Sequence, residues 1–203
     1  MRNVLIITAS FITQALRLAP FDGLPFNSLS AQNSMVRLRE CQASSSKNIF
    51  FIEGVRLINI NIRTARASDI DSIFEVRTSV LENYLSREEM RQLGITESVV
   101  ADMIEKNSCA WVAAENDKIV GFSMILSDEG CLFAAFVLPE YEGRGIGRRL
   151  VFLAEQELFK HHEIAWLETD KNSRAAKFYM QLGWGNKKEI NGTDIKLEKH
   201  RSV

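Results

Sequence analysis

Three glycines in five residues, Gly143, Gly145 and Gly147, separate an apolar run at 131–137 from a helix-like run at 146–159. No other feature restricts the fold as strongly. A strand that enters a helix through such a turn, with a second strand following at 164–169, forms a parallel crossover. Such crossovers are almost always right-handed, and the turn falls at the carboxyl end of the first strand. The turn also carries chemistry. Backbone N–H groups converge at the start of the helix, where its dipole favours negative charge, so the segment suits a phosphate or pyrophosphate. Arg144 and Arg148 frame it with positive charge, and the glycines let a ligand approach the main chain without Cβ atoms in the way.

Periodicity supplies the elements around this unit. Residues 57–65 alternate as a strand, and Ser68 with Asp71 forms a capping-box-like start to a helix carrying Ile70, Ile73, Phe74 and Val80. Thr96 and Glu97 open a second helix, with Val99, Val100, Met103 and Ile104 on its inner side. Strand-like runs at 109–114, 119–126 and 131–137 are joined by Asn116-Asp117 and by Ser127-Asp128-Glu129-Gly130, both suited to hairpins. Ile146, Leu150, Leu153, Ala154 and Leu158 form one stripe on the next helix, which packs against the sheet. A helix at 173–182 stops at Gly183, and Asn191-Gly192 joins two last strands. The result is an α/β chain of the mixed α+β kind.

At 203 residues, 46% hydrophobic and 25% charged, the chain can build one good core but is short for two full domains. A net charge of -1 and a pI of about 6.3 argue against a nucleic-acid partner. Cys41, Cys109 and Cys131 are too widely spaced for a disulfide framework or a C-x-x-C metal site, and the last two read as core residues in a reducing compartment. His161-His162 suits the end of a helix, and with His200 distant there is no metal-ligand cluster. Residues 1–56 lack clear periodicity, and their apolar run at 4–16 is shorter than the roughly 20 residues of a membrane helix.

Among glycine motifs, a nucleotide-hydrolase loop needs Lys-Ser/Thr where this chain has Arg148-Arg149. A dinucleotide turn keeps two of its glycines here but has Leu150 in place of the third, with Glu168 near the spacing of a ribose-binding acid, and it stays as a weaker alternative. Val137-Leu138-Pro139 followed by Glu142-Gly143-Arg144-Gly145-Ile146-Gly147 resembles the acyl-CoA signature of the GNAT superfamily of N-acyltransferases, [Q/R]-x-x-G-x-[G/A]. A second block, Asn172 through Ala175, Phe178-Tyr179 and Gly183-Trp184, is similar to that family's N-x-x-A-x-x-[F/L]-Y-x-x-x-G-[F/W]. The resemblance runs from about residue 57 to the C-terminus and departs at Glu142, where the family has Gln or Arg.

The resemblance implies a GNAT-like fold, a central mixed sheet flanked by helices in which two parallel strands splay apart around acyl-pantetheine. It implies acetyl-CoA as acyl donor, no metal, and transfer to a primary amine by direct attack on the thioester. Phe136 and Val137 would pair with pantetheine through their backbone, and Glu142, Gly143, Arg144, Gly145, Ile146, Gly147 and Arg148 would surround the pyrophosphate. Asn172 would hold the pantetheine arm, while Tyr179 would protonate the leaving thiolate. No general base is identifiable among Glu168, Asp170 and Glu82-Asn83-Tyr84, and deprotonation through water stays open. Loop 81–95 and the C-terminal strands would form the acceptor side, for a small-molecule or protein amine. A non-catalytic CoA-binding module is the alternative.

The expected organisation is an N-terminal extension at 1–56, outside the core, and an acetyltransferase domain at 57–203. The extension could be a signal or transit peptide. A start near 55–58 with a non-native leader is preferred, because secretion would part an acyl-CoA enzyme from its cofactor. The expected protein is cytoplasmic, a monomer or homodimer, without membrane or nucleic-acid partners.

Overall fold

A computed structural model describes residues 60–202. The leader and the first residues of the strand expected from 57 lie outside them. The described chain forms a seven-stranded mixed sheet of order β1-β2-β3-β4-β5-β7-β6. Its strands are β1 Ile60–Thr64, β2 Ala110–Glu115, β3 Lys118–Leu126, β4 Cys131–Val137, β5 Ile164–Asp170, β6 Gly185–Glu189 and β7 Asp194–His200. The helices are α1 Ile70–Thr78, α2 Arg87–Gln92, α3 Glu97–Lys106, α4 Ile146–His161 and α5 Arg174–Gln181.

β1 to β4 run as an antiparallel meander, and β5, β7 and β6 form a second antiparallel group. The two groups meet through β4 and β5, which are parallel and register at one pair only, Cys131 with Trp166. The Trp166 N–H donates to Gly130 O at 3.0 Å beside that pair. Beyond it the strands part. This is the splayed pair expected from the sequence, and it leaves the rest of β4 half-buried, from Phe133 to Val137. A bulge inserts Phe133 into β4 between the pairs Met124 with Ala134 and Ile125 with Leu132, bending the strand where the opening begins.

Alternation along β3 assigns the helices to opposite faces. Ser123 donates to Leu150 O at 3.1 Å from the buried face under α4, whose Ile146, Leu150, Val151, Ala154 and Leu158 are almost fully buried. A Cβ on Gly121 would lie 2.9 Å from Phe136 O and 3.3 Å from Leu150 Cδ1, so glycine permits the close stacking of β3, β4 and α4. Phe122 and Met124 turn to the other face, toward Ile73 and Phe74 of α1. Cys109 and Cys131 are buried free thiols, as expected of core residues, and burial raises both pKa values, that of Cys109 to about 11.

Two expectations need correction. The cap before α1 is Arg66 with Asp69, in a 3-10 turn, and not Ser68 with Asp71. Asp69 wins because its carboxylate accepts from the Arg66 N–H at 2.8 Å and from both terminal nitrogens of Arg63 on β1 at 2.6 and 2.8 Å. The segment 81–95 is not all loop, since Ser86 and Glu89 cap α2 reciprocally.

Candidate active site

A groove of about 430 Å³ lies at the carboxyl end of β4, between the glycine turn and α5. Its walls are Phe136 and Val137 of β4, the glycine turn, the segment Val80 to Asn83 after α1, and Arg174, Ala175 and Phe178 of α5. Gly143 and Gly145 have φ of 72° and 77°, a left-handed conformation that side chains rarely adopt, and a Cβ on either would meet nothing within 4 Å among the described residues. Conformation therefore favours glycine at these two positions, and among the described residues the space beside them is open. Gly147 is helical, and its Cβ would touch Phe178 at 3.5 Å.

Gly145 is the N-cap of α4 and has no side chain to offer, so no cap closes the helix start. Arg149 N–H is the first to bond back, to Gly145 O at 3.2 Å. The amides of Ile146, Gly147 and Arg148 precede it without an intrahelical acceptor. They sit at the positive end of a 16-residue helix dipole with the groove in front of them. The residues present thus fit a pyrophosphate.

Eight of the ten residues expected to hold the cofactor line this groove: Phe136, Val137, Glu142, Gly143, Gly145, Ile146, Gly147 and Arg148. Arg144 turns away, donating to Glu140 O at 2.7 Å with its guanidinium 4.8 Å from the Tyr141 ring centre. Asn172 is exposed, its N–H donating to Asp170 Oδ1 at 2.7 Å, and the neighbouring Ser173 caps α5. Tyr179 is buried beside Phe178 and Trp184, on the inner face of α5. Burial and the nearby Cys131 thiol push its pKa well up, so the phenol stays protonated at neutral pH.

These strands, this turn and this helix start agree with a wider comparison. Residues 61–184 match the acetyltransferase (GNAT) family. The chain belongs to that family. The [ribosomal protein bS18]-alanine N-acetyltransferase of Haemophilus influenzae is 32% identical to it over 76 residues, 34% of this chain and 50% of that enzyme. The chain thus spans about half the length of the curated relative it matches. The PaiA N-acetyltransferase from Thermoplasma acidophilum in complex with coenzyme A superposes with a TM-score of 0.59 at 18% identity, over 70% of this chain and 99% of that one. YncA, a putative acetyltransferase from Salmonella typhimurium with its cofactor acetyl-CoA, gives 0.56 at 15% identity, over 71% and 95%. The ribosomal-protein-S18-alanine N-acetyltransferase from Escherichia coli gives 0.52 at 21%, over 71% and 96%. The GNAT fold expected from the sequence is the fold observed.

This GNAT chain meets its departure from the family pattern, Glu142, with a local answer. Arg174 Nη1 donates to Glu142 Oε2 at 2.8 Å, and Arg174 Nε donates to Glu82 Oε1 at 2.8 Å. One guanidinium therefore offsets the added carboxylate and joins three walls of the groove. Sequence reasoning missed Arg174, because its partners lie 32 and 92 residues away. Among the described residues, no group of three or more His, Cys, Asp or Glu could hold a metal ion, and no helix is long and apolar enough to cross a membrane.

Proposed function

We propose that this chain is an acetyl-CoA-dependent N-acetyltransferase whose co-substrate lies in the groove at the carboxyl end of β4. The observation that carries the reading is the open, uncapped start of α4 at the mouth of that groove. The amides of Ile146, Gly147 and Arg148 hold the pyrophosphate, Arg148 adds a cation, and Gly143 and Gly145 keep the approach free of side chains. Pantetheine then runs along the exposed side of β4, pairing with the backbone of Phe136 and Val137, as an added strand would. Asn172 lies outside the lining residues, so a contact with the pantetheine arm requires it to swing toward the groove.

At the far end of the arm the acceptor's amine nitrogen attacks the thioester carbonyl and the carbon–sulphur bond breaks. Tyr179 donates its phenolic proton to the departing thiolate, and the new amide nitrogen loses its own proton to water. The phenol carries its proton at neutral pH, as the donor must, while burial makes it a weaker acid than a free phenol, so the transfer runs uphill to a thiolate whose conjugate acid titrates near ~8.5 and is completed as the neutral CoA thiol departs. The S18-alanine N-acetyltransferases named above act on a protein N-terminus, and small amines fit the same chemistry.

Release of free CoA thiol from acetyl-CoA, followed across a panel of small amines, amino acids and peptides, tests the proposal. Amine-dependent thiol release is expected. Tight CoA binding with no release for any amine would favour the non-catalytic module, a reading supported by the position of Tyr179 outside the lining of the groove.

A further inference from the structure

A second cavity, of about 90 Å³, lies on the other side of Phe136, between α1, α2, α3 and the sheet. Phe136 belongs to the walls of both spaces. Phe74, Met90, Val100 and Met124 are among the apolar residues around the second one, and Arg77 is the only charged residue in its lining among the described residues. The Arg77 guanidinium stacks 4.5 Å from the Phe136 ring centre. Its Nη1 is buried and, among the described residues, is the one buried side-chain nitrogen or oxygen without a hydrogen-bond partner.

An arginine near the end of a surface helix ordinarily extends its head into water. Here the chain turns a charged donor toward an apolar cavity and gives it no acceptor, an arrangement that costs stability unless a ligand supplies the missing anion. Burial lowers the Arg77 pKa to about 10, which still leaves it cationic at neutral pH.

We propose that this cavity receives the acceptor, with a carboxylate on Arg77 Nη1 and a small apolar side chain among Phe74, Met90 and Met124, so that the acceptor class is an apolar amino acid. The inference deepens the acetyltransferase reading and rests on it. The amine points past Phe136 toward the thioester in the adjoining groove. The volume limits the side chain to a few carbons, since an engineered apolar cavity of about 150 Å³ holds one benzene. A polypeptide N-terminus presents an amide where the free amino acid presents its carboxylate, and its carbonyl oxygen can accept from Nη1 but brings no negative charge to the buried guanidinium.

Calorimetry on the full chain saturated with CoA, which lacks the acetyl group and so permits no turnover, separates this inference from catalysis. Alanine and 2-aminobutyrate are titrated against alaninamide, 2-aminobutyramide and a short peptide with an N-terminal alanine. The free acids are expected to bind at least about tenfold more tightly than the amides or the peptide, the effect of a charge-assisted hydrogen bond. Arg77→Met should abolish that preference, and Arg77→Lys should keep part of it. The comparison within the wild-type protein stands whether or not a variant folds. Equal affinity for acid and amide, binding of neither, or preference for the peptide would overturn the proposal. A retained acid preference without acetyl transfer would support the cavity assignment and count against the acetyltransferase reading.

Discussion

Tyr179 follows Phe178, whose ring lines the groove, and burial holds its hydroxyl in the protonated form. If that proton goes to the leaving thiolate, Tyr179→Phe removes only the hydroxyl and leaves the packing on Trp184. Once an acceptor amine is in hand, kcat should fall by roughly 10²–10⁴ while acetyl-CoA affinity holds. Unchanged kcat with a raised KM would reduce the residue to packing behind Phe178, a residue that lines the groove. The glycines could be singled out in sequence from their place in a strand-to-helix turn, and Tyr179 through the motif that resembles the family's second block. Arg77 could not. In sequence it is one cation on an amphipathic helix, and its burial arises only when α1 lies across β3 and β4.

At the scale of elements, strands and long helices were legible because their periodicity records which face is buried. The six-residue α2 was not singled out, although Ser86 and Glu89 carry its capping signal, since its polar residues read as loop. Tertiary ion pairs were equally hidden. Arg63 on β1 clamps Asp69 before α1 and holds the Asp69 carboxyl below its ordinary range, with the Arg66 N–H assisting. A lowered folded-state pKa stabilises the fold above the unfolded value of about 3.9, and that contribution disappears as pH falls through the folded value. Urea titrations should therefore show stability dropping below about pH 4, with a shallower drop in Asp69→Asn. A second tie joins α4 to the C-terminal strands. Glu155 accepts from Trp184 Nε1 at 2.7 Å and from Lys199 Nζ at 2.7 Å. Glu155→Ala strands the Trp184 donor and leaves Lys199 Nζ with Leu182 O alone in a largely buried site, and should cost about 3 kcal/mol, measured by denaturant unfolding with tryptophan fluorescence as one probe. A loss within a few tenths of a kcal/mol would mean that water replaces the carboxylate freely.

At the scale of the whole molecule, the described residues already contain the sheet, its helices and both cavities. A chain beginning at Leu57 is expected to fold and to keep the melting temperature and acetyl-CoA affinity of the full chain. Insolubility or lost affinity would show that residues 1–56 contribute to the domain. The account as a whole depends on acetyl-CoA resting its pyrophosphate on the uncapped start of α4. Gly145→Asp tests that most directly. A Cβ there meets nothing within 4 Å, and aspartate tolerates the left-handed conformation better than most residues, so the fold should persist at a cost of about 1 kcal/mol. The new carboxylate would stand where the pyrophosphate must sit. Acetyl-CoA titrated by calorimetry should bind the wild-type protein and show no measurable heat of binding with a folded Gly145→Asp protein, whereas wild-type affinity in that variant would contradict the account.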